Sequence, residues 1–360
     1  MNVITIAIPV YNVEKYIEKS LLSALEQDFN LPYEILVIND CSPDNSMDIV
    51  HRLKKEHSKG NIIRIIDLTQ NRGQGDIRNI AINETKSKYL YFLDSDDWMS
   101  TDCLRLLYDK AESSGAEITF GSVDRINEDS GEIEWSNKYD DSIINHEAVG
   151  LYLFLQRKHI HIECWNKLFR MDFIRDNDIK CTHRVMEDVV FEFRCNALAR
   201  RFAFIPQVTM IYNIRNGSTL TEIKNKEGND YTAYAFSDIP RCLRSCIKNE
   251  FKHIPHIWDY YAYKVMDMCR KLADSTYSKE QEQMIRSNLK GIMTGVPCMR
   301  CFSQPIDRFL YSVLLIKKED YFTYNYYRYI YWKEHQALLE RVYGSWPTKI
   351  KNFCTFTFRS

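Results

Sequence analysis

Over the first 120 residues the hydrophobic positions change period again and again. Val3–Ile8 is a short β-branched apolar run, the pattern of a strand buried on both faces. Val13, Tyr16, Ile17, Ser20, Leu21, Ala24 and Leu25 then recur at helical spacing. Glu34–Asn39 reads as a second strand, and Asn45 can cap a helix carrying Met47, Ile49, Val50 and Leu53. Ile62–Asp67 is a third strand, and 76–85 reads as helix. Lys88–Leu93 is a fourth strand, a helix with Leu104, Leu107 and Ala111 follows, and Glu117–Gly121 is a strand again.

Strands alternating with helices predict an α/β fold with a mixed, mostly parallel sheet flanked by helices. In such sheets ligands bind beyond the carboxyl ends of the strands. Pro9–Asn12, Asp40, Asn71 and Asp94 each fall at or just past the end of a predicted strand, so four polar clusters point at one crevice. From about Ser122 the alternation stops. Glu132–Trp135 reads as one arm of a hairpin, Glu147–Leu155 as helix, Met186–Phe191 as the start of another helix and Ala203–Ile211 as a strand. Beyond about 230 the pattern is mainly helical, which places a boundary near 220–235.

Composition narrows the classes. The 360 residues suit about two domains. The 45% hydrophobic and 27% charged fractions exclude whole-chain disorder. A formal net charge of −1 argues against a nucleic-acid partner, whose footprint is strongly basic. The chain opens on MNVITIAIPVYN, without a basic leader before an apolar stretch, and no apolar run reaches the roughly 20 residues of a spanning helix. The 11 cysteines show one CxxC, Cys298 and Cys301, with no second pair at a zinc-site spacing. Reduced thiols and a cytoplasmic location, at the face of the membrane or free of it, are the expectation.

The strongest chemical signal is Asp94-Ser95-Asp96-Asp97. Three carboxylates within four residues repel one another and call for a counter-cation. Their hard oxygens suit Mg²⁺ or Mn²⁺, ions that also bind substrate phosphates. The competing reading is an acidic cap on the following helix. In Pro9-Val-Tyr-Asn12, Tyr11 can stack on a planar base and Asn12 can cap a helix, with Glu14 nearby. Asp40 can accept from a base imide or close an Asx turn. Asn71-Arg-Gly-Gln-Gly75 allows close backbone approach, and Arg78 offers a planar fork for phosphate or a base edge. This is neither a Walker loop nor GxGxxG. Glu187-Asp188, with His183 upstream, is the best general-base candidate, and Trp165, Asn166 and Lys167 can line an acceptor pocket.

The ordered set PVYN (9–12), NDCSPDNS (39–46), NRGQGDIRN (71–79), LDSDDW (93–98), WNKLF (165–169) and MEDVVF (186–191) resembles glycosyltransferase family 2, of the type that builds bacterial surface polysaccharides. The resemblance covers about residues 1–220. It implies a GT-A catalytic domain over 1–225, with a nucleotide-sugar-binding half at 1–121 and an acceptor half at 122–225, followed by a mainly helical region at 226–360. It also implies roles. Pro9, Tyr11, Asn12, Glu14 and Asp40 would hold the nucleotide, often uridine, and Arg78 would help seat the base or phosphates. Asp94 would contact the ribose, with Ser95 in the same turn. Asp96 would hold the divalent metal, with Asp97 as a second contact. Arg215 and Ser218 would meet the diphosphate. Asp188 would be the catalytic base, and Trp165, Asn166, Lys167 and Glu187 would form the acceptor side. The chain departs from the family where Asn39-Asp40-Cys41 stands for the usual two aspartates and a glycine, and where Ile77 replaces the usual alanine.

The implied activity is inverting, metal-dependent transfer from a nucleoside-diphosphate sugar, with UDP the first choice, to a hydroxyl of a glycan or lipid-linked acceptor in capsule, O-antigen or exopolysaccharide synthesis. The competing classes are a non-catalytic nucleotide-sugar or glycan-binding protein on the same scaffold and a sugar nucleotidyltransferase. Phe309–Trp332, rich in tyrosine and basic residues, suits either peripheral contact with the inner membrane or packing on the catalytic domain or a second subunit, as in a homodimer.

Overall fold

A computed structural model describes residues 2–155, 160–161, 163–182, 187–215 and 239–254, together with 257 and 261. The chain forms two compact units, Met1–Glu222 with Ser245–Ile257, and Ile223–Arg244 with Trp258–Ser360. The first carries the elements below. The expectations placed on His183, Ser218, most of the C-terminal helical region, the Cys298/Cys301 pair and Phe309–Trp332 lie outside the described residues.

In chain order the first half contains β1 (Ile4–Val10), α1 (Ile17–Leu25), β2 (Tyr33–Asn39), α2 (Ser46–Glu56), β3 (Ile63–Asp67), α3 (Gln74–Glu84), β4 (Tyr89–Phe92), β5 (Trp98–Met99) and α4 (Cys103–Ser114). The second half contains β6 (Ile118–Asn127), β7 (Ile133–Asn137), β8 (Ser142–Asn145), α5 (Val149–Leu155), β9 (Lys167–Arg170), α6 (Met171–Asp176), α7 (Asp188–Leu198) and β10 (Arg201–Ile214). The strands form one sheet in the order β3-β2-β1-β4-β9-β6-β10-β5, with β7 against β6 and β8 against β10.

The strands β3, β2, β1 and β4 run parallel, as the alternating pattern requires. Direction reverses at β9, which is antiparallel to both β4 and β6. β10 then runs parallel to β6. The strand residues alternate between two cores. Ile4, Ile6, Ile8, Ile35, Val37, Tyr89 and Tyr91 face one, with Leu21, Val50, Leu104 and Leu107 from α1, α2 and α4. Ala7, Leu36, Ile38, Leu90 and Phe92 face the other, with Ile77, Ala81, Val149, Ile174 and Phe191 from α3, α5, α6 and α7. Burial on both faces is why these strands read as unbroken apolar runs.

Several expectations need correction. β6 does not end at Gly121; it continues to Asn127, and its outer residues from Asp124 are only half-buried, so they carry no apolar signal. The hairpin arm expected at 132–135 is present as β7, Ile133–Asn137, paired back onto β6. Trp165–Phe169 enters a strand, β9, that the sequence reading did not recognise. Asn12 caps nothing, because α1 begins at Ile17. Asn45 does precede α2, but its side chain reaches Glu14, while the Ser46 N–H donates to Asp44. No helix among the described residues is long and apolar enough to cross a membrane.

Candidate active site

The loops after β1 and β2 are tied together. The Asn12 N–H donates to Ser42 Oγ at 2.8 Å, the Glu14 N–H to Asp44 Oδ2 at 2.9 Å and the Asn45 N–H to Glu14 Oε2 at 3.1 Å. Pro9 is half-buried in β1 opposite Ile38, while Tyr11, 48% exposed, projects from the loop. Asp40 is buried. Its carboxylate accepts the Arg72 and Gly73 N–H groups at 2.6 and 2.8 Å, so it pins the loop that opens α3. Gly73 sits at φ +85° there, where a side chain would be strained. Cys41 sits at φ +57°, a left-handed conformation that favours glycine.

Arg78 projects from α3 and is 3% exposed. Its Nη2 meets Asp94 Oδ1 at 2.9 Å and its Nε meets Glu187 Oε1 at 2.9 Å. Burial works against its charge, while Asp94 and Glu187 hold it protonated. Nη1 is buried without a hydrogen-bond partner. The guanidinium therefore does not lie open to a phosphate, as the sequence reading expected. It is a buried strut between the acidic turn after β4 and the start of α7.

The acidic turn has protein counter-cations on both sides. Asp94 is paired with Arg78, and Asp96 Oδ2 with Arg215 Nε at 2.8 Å. Burial and then Asp94 push the Asp96 carboxyl up, and Arg215 opposes them. Ser95 is buried. Asp97 is 1% exposed and turned inward, its Oδ1 accepting the Asn213 N–H at 2.9 Å while Oδ2 has no partner. Burial, with Asp96 and Asp94 beside it, drives its carboxyl well above the usual range. Asp97 is thus a buried support, which corrects its expected place as a second metal contact. No group of three or more His, Cys, Asp or Glu side chains among the described residues is arranged to hold a metal. Asp94 and Asp96 are both partly exposed, with side chains 18% and 24% exposed, and Asp96 is the more open carboxylate of the turn. Such a donor fits Mg²⁺ or Mn²⁺, which take their remaining oxygens from water and phosphate.

Asp188 is the first residue of α7 and follows Glu187. Its carboxyl is pushed up to about 7 by burial and then by the negative charges of Glu187 and Glu163, against the pull of Arg78. That is a suitable range for a general base near neutrality. Glu187 itself is buried on Arg78, so its expected acceptor contact is replaced by a positioning one.

The segment expected to line an acceptor pocket is mostly scaffold. Asn166, fully buried at φ +55°, donates to the Gly121 and Ser122 carbonyls and accepts from Thr209 Oγ1 at 2.6 Å. Lys167 is buried with its ammonium on the His161 and Glu163 carbonyls. Trp165 is 3% exposed and lies against Tyr212, with ring centroids 5.5 Å apart. Two residues of the site were missed: Glu163, whose charge acts on Asp188, and Tyr212, whose hydroxyl feels Asp97, Asp96 and Asp94. Neither stands in a spacing that announces it.

The family described as "Glycosyl transferase family 2" matches residues 5–205. Glycosyltransferase GlyA of Streptococcus pneumoniae is 30% identical over 222 residues, 60% of this chain and 31% of that protein. Succinoglycan biosynthesis protein ExoO of Rhizobium meliloti is 26% identical over 220 residues, 60% of this chain and 62% of ExoO. The chain therefore spans less than two thirds of both relatives. The crystal structure of S. aureus TarS 1–349 superposes with a TM-score of 0.66 at 18% identity, covering 93% of this chain and 92% of that one, and its complex with UDP-GlcNAc with a TM-score of 0.65. The likeness to TarS shows the shared GT-A fold, and the match over residues 5–205 places this chain in glycosyltransferase family 2.

Proposed function

We propose that this protein is an inverting, metal-dependent glycosyltransferase that moves a sugar from a UDP-sugar to a hydroxyl of a glycan or lipid-linked acceptor in bacterial surface-polysaccharide synthesis. The observation that carries the reading is the Arg78 strut, which ties the acidic turn to the helix bearing Asp188. The TarS complex with UDP-GlcNAc, a protein of the same fold, supports a uridine donor, and the names of GlyA and ExoO support the pathway.

In this mechanism Tyr11 stacks on the base, and Pro9, Asn12, Glu14 and the Asp40-pinned loop shape its pocket. Asp94, held by Arg78, receives the ribose, with Ser95 in its turn. Asp96 is the residue that would hold the divalent ion, which when bound offsets charge developing on the leaving diphosphate. Arg215 leaves Asp96 for the diphosphate when the donor enters, which conserves its ion pairing. Asp188 accepts the proton of the acceptor hydroxyl as it attacks opposite the leaving group, so the anomeric centre inverts. Such general-base help is worth about 10²–10⁴-fold in rate.

The test is nucleotide release from a panel of UDP-, GDP- and dTDP-sugars with Mn²⁺. Wild type is expected to release UDP from at least one donor. Donor binding with no release marks the non-catalytic binder, and pyrophosphate exchange with a sugar phosphate marks the nucleotidyltransferase.

A further inference from the structure

One row of side chains crosses the outer part of the sheet. The strand register puts Trp135 of β7 opposite Arg125 of β6, and Arg125 opposite Tyr212 of β10. The Arg125 guanidinium lies 4.6 Å from the Trp135 ring centroid and 5.1 Å from that of Tyr212. Its Nη2 is 3.3 Å from Glu163 Oε1. Glu163 in turn is close enough to Asp188 to act on its carboxyl. The row therefore runs from the proposed base to an indole that remains 46% exposed although a cation lies against it. Arg125 Nε and Glu163 Oε2 along it are buried without a hydrogen-bond partner, and the Glu163 oxygen lies 3.7 Å from His161 Nδ1.

We infer that Trp135, backed by Arg125 and Glu163, is an acceptor subsite that stacks one ring of an uncharged glycan beside the reaction centre. This rests on the transferase reading and adds where the acceptor lies and what its charge is. An exposed indole presents a negative face to the C–H face of a pyranose. The stacked Arg125 holds the indole in place, since a cation over an aromatic ring is attracted to it. Glu163 neutralises that cation, so the subsite offers no net positive charge to a phosphate. The surrounding hairpin is acidic: from Asp124 to Asp141 there are seven acidic residues and two basic ones. That field disfavours a polyanionic acceptor such as a polyol phosphate and leaves neutral hexose and N-acetylhexosamine chains favoured.

The test is binding of the full chain to an array of neutral and phosphate-bearing bacterial glycans, with UDP and Mn²⁺ present, for wild type, Trp135→Ala and Trp135→Phe. UDP affinity is measured by calorimetry on the same preparations. Wild type is expected to bind at least one neutral oligosaccharide, with about tenfold loss in Trp135→Ala, equal to ~1.4 kcal/mol, and recovery in Trp135→Phe. UDP affinity is expected to match in all three. Equal glycan binding by Trp135→Ala, binding of phosphate-bearing glycans alone, or no glycan binding by a wild type that does bind UDP overturns the subsite and leaves the transferase reading intact. Failure of wild type to bind UDP removes both.

Discussion

Arg78 and Glu187 are 109 residues apart in the chain and meet at 2.9 Å, beneath the turn that carries Asp94 and at the start of the helix that carries Asp188. Both partners of this contact are buried. Removing the cation leaves two carboxylates without compensation in a poorly solvated place. Arg78→Met is expected to lose about 3–5 kcal/mol of stability. Arg78→Lys keeps the charge but cannot fork to both carboxylates, so its loss should be intermediate. Urea denaturation midpoints of the two variants check this, and equal stability of wild type and Arg78→Met would contradict it.

The Asp188 carboxyl has a clear pH signature. A base must be ionised, and this group is pushed up to about 7 in the free protein. The kcat/KM profile is therefore expected to rise with pH through about 7. Asp188→Asn should abolish turnover and still bind UDP. Stability runs the other way. The folded carboxyl holds its proton more tightly than the ordinary 3.8, so its contribution is present below that value and lost as pH rises through about 7. Asp188→Asn is thus expected to melt higher than wild type at pH 8 and to lose that advantage toward pH 4, with about 4 kcal/mol as the ceiling.

Asp96 and Arg215 form an ion pair at 2.8 Å, which the proposed mechanism exchanges for a contact with the diphosphate. Asp96→Ala is expected to remove the increase in UDP affinity that Mn²⁺ gives, measured by calorimetry with and without the ion. Arg215→Ala should weaken UDP binding more than uridine binding, because its loss is felt by the diphosphate. An unchanged Mn²⁺ effect in Asp96→Ala would refute its assignment.

Cys41 holds a left-handed backbone conformation at φ +57°. That conformation costs a residue with a side chain about 1–2 kcal/mol, and glycine gives back part of this through its greater unfolded-state freedom. Cys41→Gly is expected to stabilise the protein by roughly 0.5–1 kcal/mol without altering UDP affinity. Thermal melting checks it.

How much of this was legible follows from burial. β1, β2 and β4 are buried on both faces and announced themselves as apolar runs. The outer half of β6 did not, because Asp124, Arg125 and Asn127 are half-exposed and polar. β9 is four residues long and begins with a buried lysine, which local pattern reads as loop. In the site, the acidic turn and Glu187-Asp188 were visible as clusters of like charge. The position of Arg78 was visible too, but not its surroundings: its partners stand 16 and 109 residues away, and nothing local shows that the side chain is sealed from phosphate. Asn166 and Lys167 looked like pocket-lining residues for the same reason. Only tertiary packing shows that their polar atoms are used up by neighbouring backbone and side-chain partners.

The most direct measurement is a crystal structure of the full chain with UDP and Mn²⁺. The account places uracil against Tyr11 and the loop pinned by Asp40, the ribose at Asp94, and Mn²⁺ on Asp96, with Arg215 turned to the diphosphate and the Asp188 carboxylate facing the position of the departing sugar. A nucleotide bound elsewhere, or bound here with Asp188 directed away from the diphosphate, would contradict it.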